Sequence, residues 1–510
     1  MIERVLVRRG AWYDSAFLMR VSRRLGELDG VMEAVVMMGT EMNRRLLEDA
    51  GFAGQLLAAA TAMDMVVALR VAAEARVEAV EAELERLLEG GAAAARGARA
   101  EERPRTVEEA VAARPAASLV SVAVPGVYAA FVARRALAAG RHVFLFSDNV
   151  SVEDEVDLKR RAREAGLLVM GPDCGTSILS GVGLGFSNRV VRGPIGLAGP
   201  SGTGIQELCC LLAAQGQGIS HAIGTGGRDL SRPVGGVMTE LAVRLLCADS
   251  ATRVVVVVAK QPDPEVAERL HAVLAAGGKP AVVRFLGQPP RPARDGVHYA
   301  ATLDEAADVA AARARGDERP AMMFSTPPAA PAEHERAPIH GRLLGLFSGG
   351  SLAAEAREIL RRHGVNARVP DPPPQPGQPL PADDNLVIDV GGDVYTRGRP
   401  HPMVDQGVRL GLLAAAGRDR SVGVVLLDLV LGDGAHPDPA PEWVPVLAAM
   451  RRERGAGAPL VVVSLCGTAA DPQGLSRQRA ALEGAGVWVH TSAARAVAAA
   501  ARLITGGGAA

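Results

Sequence analysis

The sequence predicts an α/β protein: several doubly wound parallel-sheet domains behind a small N-terminal α/β domain. Three observations predict it. Short Val/Ile/Leu runs alternate with Ala/Leu/Arg/Glu stretches along most of the chain, the pattern of βαβ units. The 510 residues exceed what one core holds, since domains cluster near roughly 100–200 residues. A succession of matching elements also occurs twice, which marks an internal duplication.

Residues 1–92 read as a small α/β domain, with strands at Arg4–Val7, Val31–Met38 and Met65–Leu69 and helices at Ser15–Leu28 and Glu74–Leu88. Gly90–Arg105, rich in Gly, Ala and Arg, reads as a linker. The domain at 105–190 runs strand Leu119–Val124, helix Tyr128–Ala139, strand His142–Phe146, helix Glu153–Ala165, strand Leu167–Met170. Gly171-Pro172-Asp173-Cys174-Gly175-Thr176 closes it, and Gly181–Gly185 reads as a loop. Domains at 191–316 and 341–506 are the two copies of the duplication, joined by a Pro/Ala-rich linker at 317–340. Pro194–Gly202 resembles Leu344–Leu352, and Ile223–Asp229 parallels Ile388–Asp393. Val-rich strands follow in each (Arg253–Ala259, Val422–Leu429), then another strand (Pro280–Phe285, Pro459–Ser464) and an Ala-rich helix.

Composition excludes several classes of function. The 56 Lys+Arg and 57 Asp+Glu leave a formal charge of −1, so there is no electrostatic footprint for nucleic acid and no polybasic membrane anchor. No apolar run approaches the ~18–20 residues of a membrane span, and Met1-Ile2-Glu3-Arg4 does not open a signal peptide. Five cysteines without metal spacing fit reduced thiols, so a cytoplasmic protein is expected. No Gly-x-x-x-x-Gly-Lys-Ser/Thr loop and no strand-following Gly-x-Gly-x-x-Gly is found.

The two strand–turn–helix junctions are the most legible chemistry. At Gly199–Glu207, Ser201, Gly202 and Thr203 begin a helix whose first free amides can hold a phosphoryl or carboxylate group without lysine. Ser348-Gly349-Gly350-Ser351 repeats the arrangement. One such junction is more often an ordinary helix cap; two at matching places favour a functional pair. In the last domain Asp389 and Asp393 frame Gly391-Gly392, and Arg397 and Arg399 suit a carboxylate or phosphate. Loops after parallel strands converge on one sheet edge. There His401, His436, Asp433 and Asp438 could face one another as acid/base groups or metal ligands, or shape solvated turns. We expect no metal. His298 lies before the last helix of the first copy, as an acceptor of phosphate or a packing residue.

These residues resemble the succinyl-CoA synthetase superfamily of acyl-CoA synthetases (NDP-forming). Leu119–Thr176, ending in Gly171-Pro172-Asp173-Cys174, resembles its CoA-binding domain. Ser201-Gly202-Thr203 resembles the α-subunit helix facing the phosphohistidine; Ser348–Leu352 and Asp389–Gly392 resemble the β-subunit counterpart. The order that includes Tyr13-Asp14-Ser15, Met38–Asn43, Gly398–Met403 and Gly434–Pro439 is most similar to FdrA-type proteins.

The resemblance implies a Rossmann-like CoA-binding domain plus two flavodoxin-like succinyl-CoA synthetase-type domains, α-like and β-like, without an ATP-grasp domain. It implies a CoA-like site at Pro125, Ser147, Asn149, Pro172 and Cys174. The phosphate and substrate groups would be Ser201, Gly202, Thr203, Gly349, Gly350, Ser351, Gly391, Gly392, Arg397 and Arg399, with His401, His436 and His298 as catalytic candidates. Phosphate is the expected cofactor, with CoA a second candidate. The implied function is a subunit of an oxamate carbamoyltransferase in allantoin and purine catabolism, acting on a small acyl or carbamoyl substrate with partner subunits and as a homo-oligomer. The alternatives are an acyl-CoA synthetase α/β-like fusion with a separate ATP-grasp partner, and a non-catalytic scaffold.

Overall fold

The computed structural model describes residues 2–11, 13, 15–97, 104–317, 320, 339–381, 384–396 and 399–506, in two compact units, 1–105 and 106–510.

The first unit comprises β1 (Ile2–Arg8), α1 (Ser15–Gly26), β2 (Val31–Met38), α2 (Glu41–Asp49), α3 (Gln55–Ala58), β3 (Met65–Val71) and α4 (Glu74–Gly97). β3 is central and antiparallel to both neighbours. Strand side chains alternate between faces, so Met65, Val67, Leu69 and Val71 pack with α1 and α4, while Val66 and Ala68 pack with Leu47, Phe52 and Leu57. The helix α4 runs to Gly97, through part of the expected linker, and α2 starts where the Thr40 hydroxyl accepts from Asn43 N at 3.2 Å.

The second unit opens with α5 (Val107–Ala113), β4 (Leu119–Val122), α6 (Gly126–Ala138), β5 (His142–Leu145), α7 (Val152–Glu164) and β6 (Val169–Met170), whose strands form a parallel three-stranded sheet. A hairpin follows, β7 (Thr176–Leu179) and β8 (Val182–Gly185). The expected loop at Gly181–Gly185 is therefore largely strand. Its glycines carry little strand propensity, and antiparallel pairing with β7 overrides it.

The first copy contains β9 (Ile195–Gly199), α8 (Gly202–Ala214), β10 (Ile219–Gly224), α9 (Val237–Ala248), β11 (Val254–Lys260), α10 (Pro264–Ala276), β12 (Ala281–Leu286), β13 (Val297–Tyr299) and α11 (Leu303–Arg315). The second contains β14 (Arg342–Phe347), α12 (Gly350–Arg362), β15 (Ala367–Arg368), β16 (Asn385–Asp389), α13 (Asp393–Thr396), α14 (Gly407–Arg418), β17 (Val422–Val430), α15 (Ala440–Arg454), β18 (Leu460–Cys466), α16 (Leu475–Gly484), β19 (Trp488–His490) and α17 (Ala493–Thr505).

The sheet orders are β13-β12-β11-β9-β10-β7-β8 and β15-β16-β14-β17-β18-β19. Read from the first strand of each copy, and setting aside the two-residue edge strand β15, both share the doubly wound order 2-1-3-4-5. Most of the Pro/Ala-rich linker between the copies lies outside the described residues.

The helices α8 and α11 from one copy and α12 and α17 from the other fill the space between the two sheets. Alanines such as Ala306, Ala310, Ala356, Ala496 and Ala500 let these helices approach closely, and most of their residues are buried. The outer faces are covered by α9, α10 and the β4–β6 domain on one side and by α14–α16 on the other. Lys159 fastens the β4–β6 domain to the first copy: its ammonium, wholly buried, donates to Glu155 (2.7 Å), Asp229 (2.8 Å) and the Thr225 carbonyl (2.8 Å).

The copies cap each other's last helix. Glu207 of α8 accepts from Ala493 N at the start of α17 (2.7 Å), and Glu355 of α12 accepts from Leu303 N at the start of α11 (2.7 Å). Both glutamates are buried with the second carboxyl oxygen unpartnered. Burial pushes Glu207 up to about 7 and raises Glu355, which buried Arg284 offsets from 3.4 Å while also holding Glu358 at 2.5 Å.

Candidate functional site

The C-terminal ends of parallel strands leave the chain where helix N-termini and their free amides gather. In the second unit, β9 ends at Gly199 and β14 ends at Phe347, and the helices that follow meet tip to tip. The Ser201 hydroxyl donates to the Ser351 hydroxyl at 2.8 Å, and both side chains are buried. Gly349 is required there, because a Cβ on it would stand 2.5 Å from Thr203 Oγ1. The tips converge as expected, but in contact rather than across a cavity. Ser201, Thr203 and Ser351 are covered, and only Gly202 and Gly350 are partly open. Ser348 is fixed from below by Asp428, which accepts from its amide (2.8 Å) and its hydroxyl (2.9 Å).

The open side of this junction carries charge. A Cβ on Gly350 would lie 2.9 Å from Lys260 Nζ and against the Asp389 carboxylate. Lys260 ends β11, its side chain is exposed, and no hydrogen bond or ion pair with a described residue holds its ammonium. A cation at the positive end of a helix is unfavourable by several tenths of a kcal/mol, and an anion between them reverses the sign. Asp173 also feels Lys260. It is solvent-accessible yet hemmed in by protein, as the wall of a cleft is; burial, then Asp148, push its carboxyl up to about 6, against Lys260. Burial likewise raises Asp389, opposed by Lys260 and by the Gly391 amide, which donates to Oδ1 at 3.1 Å.

His401 completes the wall. A Cβ on Gly391 would stand 2.8 Å from its Nε2, and its ring lies 5.5 Å from that of Phe186, which lies 5.6 Å from Phe146. Burial, then Arg409, depress its pKa to about 4, so the ring is neutral at physiological pH. Its Nδ1 accepts from Met403 N at 3.2 Å, which assigns the proton to Nε2 and makes that atom a donor.

The other candidates separate from this cluster. His298 sits on β13, the third strand from β9, bonded to Glu305 at 2.8 Å. His436 accepts from Asp438 N at Nδ1 (3.1 Å) and bonds Glu442 at Nε2 (2.9 Å). Asp433 pairs with Arg189 (2.8 Å) and Asp438 with Arg477 (2.7 Å). The two loops do meet, the His436 amide donating to the Met403 carbonyl at 2.7 Å, but the side chains of His436, Asp433 and Asp438 are engaged by Glu442, Arg189 and Arg477. Gly392 is partly open beside Gly391, Arg399 is exposed in the loop before His401, and Arg397 lies outside the described residues. No group of His, Cys, Asp or Glu among the described residues could hold a metal.

Of the CoA-like site, Pro125 and Asn149 are exposed at the open edge of the β4–β6 sheet, while Pro172 is buried. Ser147 turns inward to the Val124 carbonyl (2.5 Å). Cys174 is buried against Ser177, and its thiol is pushed up to about 11 by burial. Ser147 and Cys174 are thus used within the protein, while Pro125 and Asn149 remain on the surface. Lys260, Asp173 and Asp389 are the site groups that sequence reasoning passed over as candidates. A charged residue directly after a buried β-run, at a sheet's C-terminal edge, is the signal that marks Lys260.

Fold and site define a duplicated acyl-CoA-synthetase-type core with two helix tips joined over a charged cleft. Family comparison agrees: a CoA-ligase domain matches residues 346–503, a CoA-binding domain matches 192–287, and the AllF heavy metal-associated domain matches 1–104. The CoA-binding match thus falls on the first copy, downstream of 105–190. The chain is 36% identical to the YahF protein of Escherichia coli (strain K12) over 500 residues, 96% of each chain. It is 27% identical over 212 residues (41% of this chain, 71% of the other) to succinate–CoA ligase [ADP-forming] subunit alpha 1 of Archaeoglobus fulgidus. Among solved structures it matches the apo dinucleotide-forming acetyl-coenzyme A synthetase 1 of Ca. Korarchaeum cryptofilum at 15% identity and TM-score 0.31, covering 76% of this chain and 83% of that one. The chain belongs to the FdrA-type proteins of the succinyl-CoA synthetase superfamily.

The name of the N-terminal family invokes a heavy metal, and the donors there do not fit one. Residues 1–104 contain no cysteine and no histidine. Their buried carboxylate, Asp64, is occupied by the amides of Gly10 and Thr61 and by the Thr61 hydroxyl, each at 2.8 Å.

Proposed function

We propose that this chain is a subunit of an oxamate carbamoyltransferase in allantoin and purine catabolism, converting oxalurate and phosphate to oxamate and carbamoyl phosphate. The observation that carries the reading is the Lys260 ammonium set against the N-terminus of α12, where α8 also begins. Two helix ends and an ammonium make a site for a small oxyanion, and the AllF-type N-terminal domain supports the pathway.

Phosphate held beside Lys260 and Gly350 attacks the carbamoyl carbon of oxalurate. An O–C bond forms, the C–N bond to the oxamate nitrogen breaks, and that nitrogen takes a proton. Asp173, whose carboxyl is raised to about 6 and so keeps roughly a tenth of its protons at pH 7, would supply it. The neutral His401 Nε2–H donates to the oxyanion of the tetrahedral intermediate, and Arg399 or Arg397 holds the oxamate carboxylate.

The test runs the reaction backward. Purified protein, alone and with its candidate partner subunits, is incubated with oxamate and carbamoyl phosphate, and oxalurate is measured by mass spectrometry. Oxalurate that falls at least tenfold with Lys260→Ala supports the reading; no oxalurate in any subunit combination ends it.

A further inference from the structure

A second concave site lies away from the helix tips. It is a groove of about 530 Å³ between the two copies, flanked by Gln261 and Gly287 at the sheet edge of the first and by α12, β15 and the start of β16 in the second. Its floor follows one face of α12, through Ala354, Arg357, Glu358 and Arg361, spaced three and four residues apart. From Gly350 to Arg361 this face spans about 16 Å.

The charges of the groove do not cancel locally. Glu358 is neutralised by buried Arg284 (2.5 Å) and by Arg362, and it also accepts from the Gly287 amide at 3.1 Å. Asp384 is taken by Arg368 at 2.5 Å. Arg357 and Arg361 remain: both are exposed, and neither guanidinium has a hydrogen bond or ion pair with a described residue. Two like charges one helical turn apart repel, and both line the same groove.

The geometry points to this groove as a binding site for a phosphorylated small molecule of nucleotide size. Paired guanidinium forks match phosphate oxygens, the volume lies in the range that holds a drug- or nucleotide-sized ligand, and the Gln261 and Asn366 amides can meet polar groups at either end. The site is separate from the Lys260 cleft and does not depend on the reaction assigned to it.

The test is calorimetric titration of the full-length protein with ADP, with CoA and with inorganic phosphate, repeated on the Arg357→Ala/Arg361→Ala double variant. Both arginines are surface residues, and an unchanged circular dichroism spectrum verifies the fold. The expected result is binding of ADP or CoA that weakens roughly tenfold or more in the double variant and steeply with salt. Competition by phosphate alone would assign recognition to the phosphoryl group, and its failure to compete would assign it to the larger molecule. Affinity unchanged by the double substitution, or no binding of any of the three at millimolar concentration, overturns the proposal. The Lys260→Ala variant, titrated in parallel, separates this site from the cleft at the helix tips.

Discussion

Glu207→Gln is expected to flatten the pH dependence of stability contributed by one buried carboxyl. In the folded chain Glu207 is wholly buried, accepts one hydrogen bond from Ala493 N, and has its pKa pushed from 4.5 to about 7 by burial. The folded state therefore binds this proton more tightly than the unfolded chain. Its stabilising contribution is fully present below about pH 4.5 and is lost as pH rises through about 7, after which it is constant. Raising the pKa from 4.5 to about 7 corresponds to about 3.5 kcal/mol in all, at ~1.4 kcal/mol for each tenfold change in proton affinity. A glutamine keeps the carbonyl that caps α17 and never ionises. Urea unfolding followed by circular dichroism at pH 5, 6, 7 and 8 should show the variant close to the parent at pH 5 and about 3 kcal/mol more stable at pH 8. A constant difference across that range would refute the assignment of a protonated Glu207.

Replacing Arg284 with Met leaves buried Glu355 without its cation and Glu358 with Arg362 alone, and should cost about 3–5 kcal/mol in the same denaturation assay. Asp173→Asn should remove an inflection near pH 6 from the pH–rate profile of carbamoyl transfer while leaving the melting temperature within a degree or two. His298→Ala should retain full transfer activity, since that side chain is tied to Glu305 on an edge strand; a loss would return the histidine to the chemistry.

The fold was legible because its repeat is written in glycine-bearing turns and valine runs. Gly199–Glu207 and Ser348–Leu352 mark equivalent strand ends, and the sheets share one strand order. The hairpin β7–β8 was not legible, since Gly181, Gly183 and Gly185 carry no strand signal until β7 supplies hydrogen bonds. Of the site, Ser201, Gly350, Ser351 and Gly391 stood out as helix and turn residues. Their mutual distance depends on how two domains pack, which no local pattern encodes. Histidines misled for a related reason: His401, His436 and His298 look alike in sequence, and only Glu442 and Glu305, brought close by folding, distinguish spent rings from an available one. Lys260 was hidden as the polar residue that ends a strand.

Reciprocal capping by Glu207 and Glu355 makes each copy the finisher of the other. Cleaving the connection between them would leave either fragment with a helix start lacking its acceptor and a carboxylate lacking its donor, and only reunion with its sibling repairs both. Covalent continuity across that connection is thus a convenience: two separately made halves should find one another and rebuild the charged cleft, because association is written into their interiors rather than into the tether.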